Sequence, residues 1–284
     1  MRKDLLLGAA DLYGWDKISI WVQSARESGF TGDIVLLGYR IAPNVLENAK
    51  KYGVDVYQID YDSFANAIVH EGSGIPTQCH QLRFFHAWQF LLDNHTKYNN
   101  VIITDVRDVM FQINPSEYLN SVLTDEKPIV VSSEGILFQH EPWNYHNLVN
   151  GFGPIIAESL RGEVAHNVGI LAGKSFAMKN LCLTLYSNTV GRYIPSDQSS
   201  FNILLYQGLL TSYVDTTHND TWACQCGVVL DPEKAHYIPH LLEQQPTIKD
   251  GKVYNSKGEL FHIVHQWDRI PQLKPIVERR YTTL

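Results

Sequence analysis

Asp105 and Asp108 stand at the exit of an apolar run, Ile102-Ile103-Thr104, with Arg107 between them and a second apolar run, Val109-Met110-Phe111, behind. Two carboxylates so placed repel one another unless a cation or hydrogen bonds offset their charge. Hard oxygen ligands favour Mn²⁺ or Mg²⁺, either of which can bridge a protein to paired phosphates. The same residues also fit a helix-capping Asp followed by an Arg salt bridge. His262 and His265 lie far along the chain, three apart in a strand-like segment, so alternation directs only one of them into a given site. His265 opens the polar segment Gln266-Trp267-Asp268-Arg269 and is the candidate third ligand, with a structural histidine as the alternative.

Three further stretches carry chemistry. His166-Asn167-Val168-Gly169 leads into an apolar strand, where Gly169 either admits a substrate close to the backbone or marks a bulge. Ser196-Asp197-Gln198 follows Pro195 and opens a helix with Ser196 as cap, placing Asp197 and Gln198 where free N–H groups bind anions; Asp197 equally complements the helix dipole. Arg83 sits among apolar residues and requires an anionic partner, a phosphate or a structural carboxylate. Tyr13 and Trp15 follow the first strand and suit a nucleobase or ordinary packing.

These residues need a scaffold, and the first half supplies the pattern of a mostly parallel sheet with crossover helices. Strands are expected at Leu5–Ala9, Asp33–Gly38, Val54–Ile59 and Asn100–Thr104, with helices at Trp15–Glu27, Asn44–Lys51 and Gln78–Leu92. Beyond Pro115 the pattern predicts strands at Pro128–Ser133 and Val168–Ala172. Helices follow at Trp143–Glu158, Ser175–Thr189 and Ser196–Gln207, and a hairpin pairs Lys252–Asn255 with Glu259–His262. Ligands of open α/β sheets bind beyond the carboxyl ends of the strands, where both the segment from Ala9 to Gly14 and Asp105 fall.

A formal charge of −7 is the wrong sign for neutralising nucleic-acid phosphates, so nucleic acid is not expected as a partner. Only Cys224 and Cys226 of the four cysteines are close in sequence, and their spacing suits neither a zinc knuckle nor a redox pair. No apolar run approaches the roughly 18 residues of a membrane span, and Asp11 interrupts the short apolar start, so a cytoplasmic location is expected.

Taken in order, these stretches resemble GT-A glycosyltransferases, especially the family 8-like group that uses nucleotide sugars. The resemblance rests on Asp105-Val106-Arg107-Asp108, Asn167-Val168-Gly169, Asp197-Gln198 with Asn202, and His265. It implies an α/β GT-A (Rossmann-like) fold, mixed and mostly parallel, in a single domain over 1–284. Residues up to about 115 would form the nucleotide-sugar half and about 116–284 the acceptor half. It also implies transfer from a nucleotide-diphosphate sugar, a UDP-sugar favoured, to a glycan hydroxyl. Asp105, Asp108 and His265 would hold Mn²⁺ or Mg²⁺. Ala10, Tyr13, Arg83, Asp105, Arg107, Asn167 and Gly169 would bind the donor, and Asp197 and Gln198 would be catalytic. The extra residue in Asp-x-Arg-Asp leaves open which aspartate touches the metal, and neither retention nor inversion is favoured. Two rivals are a sugar nucleotidyltransferase and a non-catalytic carbohydrate-binding protein; Ala9 to Trp15 holds no Lys or Arg to grip the triphosphate that the first requires.

Overall fold

A computed structural model describes residues 2–59, 79–190 and 196–281. Its strands are β1 (Lys3–Asp11), β2 (Asp33–Tyr39), β3 (Val54–Ile59), β4 (Tyr98–Thr104), β5 (Val109–Phe111), β6 (Ile129–Leu137), β7 (Val164–Lys174), β8 (Val214–Thr216), β9 (Ala223–Gln225), β10 (Thr247–Lys249), β11 (Lys252–Tyr254) and β12 (Ile263–His265). The helices are α1 (Trp15–Glu27), α2 (Pro43–Lys51), α3 (Cys79–Asn94), α4 (Pro115–Val122), α5 (Pro142–Phe152), α6 (Pro154–Ser159), α7 (Ser175–Thr189), α8 (Asp197–Tyr206), α9 (Cys226–Val229) and α10 (Lys274–Tyr281). Gln78 and Pro195, which the sequence reading placed beside α3 and α8, lie outside the described residues.

The main sheet runs β3-β2-β1-β4-β7-β6-β8. β1 is parallel to β2 and β4, β2 to β3, and β6 to β8, while β7 runs antiparallel to β4 and β6. Alternation along β1 builds a core on each face. Leu6 and Ala10 pack with Ile18, Trp21, Val22 and Ala25 of α1, whose i, i+3, i+4, i+7 spacing makes one apolar stripe. Leu5 and Leu7 join Leu82, Phe84, Ala87 and Leu91 of α3 and Met178 and Leu181 of α7 on the other face. Each Leu, Ile, Val, Phe or Met among them contributes about 1.5–3 kcal/mol by leaving water.

Two features bring distant segments to the carboxyl end of β4. A small sheet, β5-β12-β9, pairs His265 with Val109 on one side and Gln225 on the other. Asp105 donates its N–H to the Gly169 carbonyl at 2.8 Å, tying the turn after β4 to β7.

The second half departs from the sequence reading in three places. The helix expected over Trp143–Glu158 is two helices, because Pro154 cannot continue α5 and Gly153 takes φ +87° at the break. β11 has a second ladder partner that the sequence pattern did not suggest, β10. Asp250 and Gly251 both have positive φ, as a two-residue primed turn requires, and the Asp-Gly pair was the stronger hairpin signal. The expected Glu259–His262 segment also pairs with β11, through the Tyr254–Leu260 bridge and the N–H groups of Asn255 and Phe261, which donate to the Glu259 and Val253 carbonyls at 2.8 and 3.3 Å. Ser196 occupies the N-cap position of α8 but makes no capping bond; its Oγ accepts from Gln81 Nε2 at 3.0 Å.

Candidate functional site

The carboxyl ends of β1 and β4 open onto a cavity of about 770 Å³ whose wall includes Asp11, Tyr13, Arg83, Asp105, Arg107, Asp108, Asn167, Gly169, Asp197, Gln198 and His265. Four distant stretches of sequence therefore meet in one place. Ala10 does not join them by its side chain: it is 1% exposed in the core beneath the sheet, and Ala9 and Asp11 face the cavity instead, as alternation along β1 demands. Trp15 packs on Tyr52, ring centroids 5.3 Å apart, and serves the core. His262 turns away from the cavity, with Nδ1 2.9 Å from the Thr221 carbonyl.

Asp105, Asp108 and His265 present one ligand atom each, all within 4.8 Å of one another. His265 Nε2 stands 3.3 Å from Asp105 Oδ2 and 3.7 Å from Asp108 Oδ1. It is buried and, among the described residues, makes no hydrogen bond of good geometry. A hard divalent cation fits this set of two carboxylates and an imidazole, because it would use the orphaned nitrogen and offset the carboxylate repulsion together. The extra residue of the motif is accommodated by burying Val106 in the core and folding Arg107 back onto Asp108 at 3.5 Å and Asp268 at 3.6 Å. Gly169 is what permits the convergence. A Cβ there would stand 2.5 Å from the His265 ring, 2.8 Å from Asp105 Oδ2 and 2.9 Å from Asn167 Oδ1. The space above this glycine is thus filled by the cluster itself.

The electrostatics of the trio are interdependent. Burial alone would raise Asp105, but the Arg83 guanidinium and the His265 imidazole outweigh it and hold the carboxyl well below the ordinary range. Asp108 goes the other way: burial pushes it up, and Asp105 and Asp268 add to the rise against His265 and Arg107. Burial opposes a proton on His265, yet the two carboxylates raise its pKa. A cation bound there would therefore compete with a proton for the same pocket of negative charge.

Arg83, 6% exposed, forks between two carboxylates: one terminal nitrogen bonds Asp105 and the other lies 3.2 Å from Asp197 Oδ2. Beside it lies an amide network. Gln198 Nε2 donates to Asn144 Oδ1 at 2.7 Å and Glu134 Oε1 at 3.1 Å, while Gln198 Oε1 accepts from Asn167 Nδ2 at 3.3 Å. Glu134, 3% exposed, also accepts from Asn167 and Asn144. Glu141 Oε2 caps α5 through the Asn144 N–H, and its Oε1 accepts from the Tyr237 hydroxyl at 2.8 Å.

Glu134, Glu141, Trp143, Asn144, Lys234, Tyr237 and Arg269 all line the cavity and were missed in the sequence reading. Glu134 had a usable signal, a Ser132-Ser133-Glu134 polar run inside a buried strand. Trp143, 55% exposed in a cavity wall, and Arg269, four residues after His265, had none beyond residue type. The wall carries six carboxylates against four Lys and Arg side chains, so an anionic ligand entering it requires added positive charge.

No protein-family model matches the chain, and no curated protein matches it. Solved structures do. The galactosyltransferase LgtC, crystallised with donor and acceptor sugar analogues, aligns over 99% of this chain and 97% of its own with a TM-score of 0.55 at 12% identity. An active-site variant of LgtC, in which a glutamine is replaced by glutamate, aligns over 98% of this chain and 94% of its own with a TM-score of 0.54 at 11% identity. No helix among the described residues is long and apolar enough to cross a membrane. Near-complete coverage, the mixed seven-stranded sheet and the site at the end of β4 agree in giving this chain the GT-A glycosyltransferase fold.

Proposed function

We propose that the protein is a metal-assisted glycosyltransferase that moves a sugar from a nucleotide-diphosphate sugar, a UDP-sugar favoured, to a hydroxyl of a glycan. The observation that carries this reading is one cavity shared by the Asp105, Asp108 and His265 trio and the Arg83, Asp197 and Gln198 cluster. The structural likeness to LgtC supports the same class of activity.

Asp105, Asp108 and His265 would hold Mn²⁺ or Mg²⁺, whose chemistry when bound is to stabilise charge on a departing diphosphate. Arg269 and Arg107 line the same end of the cavity and complement that charge from the protein side. Tyr13 lines the nucleotide end near β1. Arg83 orients Asp105 and Asp197, and the Asp197 carboxylate so held is placed to meet a sugar hydroxyl. Gln198 is locked by its bonds to Asn144, Glu134 and Asn167, so its amide meets the transferred sugar in one orientation. Trp143 and Tyr237 lie toward α5 and supply an aromatic wall for the acceptor glycan. Donor half and acceptor half thus share one cleft.

The test is a screen of UDP- and GDP-sugars for slow hydrolysis with Mn²⁺ present, alongside thermal shifts of wild type and Asp108→Ala with Mn²⁺ plus UDP. Turnover of one donor and a shift confined to the wild type are expected. A shift with no turnover of any donor would leave a binding protein, and no shift at all would remove the transferase reading.

A further inference from the structure

We infer that Gln225 is a positioning residue: its side-chain carbonyl fixes the His265 ring in the tautomer that offers Nε2 to a divalent cation. The inference rests on the metal reading above, but on different atoms. Gln225 is the last residue of β9, in register with His265 across the parallel pair β9–β12, and is fully buried between Cys224 and Cys226. A primary amide in such a place is costly unless every polar atom is used. Here they are. Oε1 lies 2.7 Å from His265 Nδ1, Nε2 donates to Ser132 Oγ at 2.9 Å, and the backbone N–H donates to His218 Nε2 at 3.1 Å.

An amide carbonyl only accepts, so the proton of a neutral His265 must sit on Nδ1. Its Nε2 lone pair then faces Asp105 and Asp108, the nitrogen that has no hydrogen-bond partner among the described residues. Histidines that bind metals are commonly held this way, by an acceptor on the nitrogen remote from the ion. Ser132 on β6 and His218 anchor the glutamine in turn, so the ring orientation is set by three segments that contribute no metal ligand.

Mn²⁺ affinity, read as free Mn²⁺ by electron paramagnetic resonance, tests this without reference to turnover. Gln225→Leu is expected to raise the Kd roughly 10- to 100-fold, and Gln225→Glu, which restores an acceptor, to keep it within a few-fold of wild type. Gln225→Asn retains the amide but withdraws it by one methylene, and provides the same weakening if the leucine variant does not fold. In a His265→Asn background, Gln225→Leu should weaken Mn²⁺ no further. A folded Gln225→Leu or Gln225→Asn protein with wild-type Kd overturns the inference, as does an undiminished additional loss in the His265→Asn background. A wild-type protein that binds no Mn²⁺ overturns the metal reading itself and this inference with it.

Discussion

Gly169→Ala is the sharpest test of how the site is packed. The new Cβ would lie 2.5 Å from His265 Cε1 and 2.8 Å from Asp105 Oδ2, whereas carbon atoms settle about 3.5 Å apart. Neither neighbour is a flexible end. The His265 ring is held by Gln225 and the Asp105 carboxylate by Arg83. Relief therefore needs a displacement of about 1 Å in the ring, several times the roughly 0.2 Å tolerance of a metal–ligand distance. Gly169 lies inside β7 and its backbone suits alanine, so the damage should concentrate in the cluster. Mn²⁺ Kd is expected to rise by on the order of 10- to 100-fold, with a stability loss of about 1–3 kcal/mol from overpacking. Mn²⁺ titration and urea unfolding of the same preparation read the two effects. If Gly169→Ala folds and binds Mn²⁺ with wild-type affinity, the trio does not converge above this glycine as described.

Arg83→Met leaves Asp105 and Asp197 without their shared cation and should cost about 3 kcal/mol; Mn²⁺ should recover more stability in this variant than in wild type, and equal recovery in calorimetry would count against the fork. Removing the metal with a chelator should abolish donor hydrolysis, and Mn²⁺ or Mg²⁺ but not Ca²⁺ should restore it, because Ca²⁺ prefers longer bonds and more oxygen ligands than two carboxylates and an imidazole provide. Trp143→Ala should leave donor hydrolysis within about two-fold while transfer to a glycan falls at least about ten-fold; equal losses would place Trp143 outside the acceptor wall. Burial lowers His86 from 6.5 to about 4, opposed by the Leu82 carbonyl. The folded state thus keeps His86 neutral while the unfolded chain binds a proton below pH 6.5, so stability falls as pH drops from 6.5 toward 4. The loss is on the order of 1–2 kcal/mol after discounting for solvent screening, and the pH dependence of Tm should flatten in His86→Gln.

Regular alternation made the first half legible: α1 and β3 have the bounds their patterns predict, as does α7 in the second half, the two helices because each presents one apolar face to the sheet. The candidate site was legible as four stretches, whose Asp105, Asp108, Asn167, Gly169, Asp197, Gln198 and His265 the fold brings to one cavity. The same alternation puts the Ala10 side chain under the sheet and turns Ala9 and Asp11 to the cavity. What escaped were short elements such as β5 and β9, three residues each, whose stability comes from pairing with β12 across distant sequence rather than from local propensity. Gln225 escaped for a related reason. A buried polar residue is intelligible only through its partners, and those partners come from other elements.

The small sheet that joins β5, β12 and β9 makes the trio depend on a long-range pairing. Asp105 and Asp108 belong to the first half of the chain, Gln225 and His265 to the last quarter, so the loop between them must close before any ion finds three ligands. During synthesis, a nascent chain that has formed β1 to β4 carries its aspartates as an ordinary acidic turn. Any affinity of this trio for a divalent cation would require the β12 strand in place, and would report completion of the native topology.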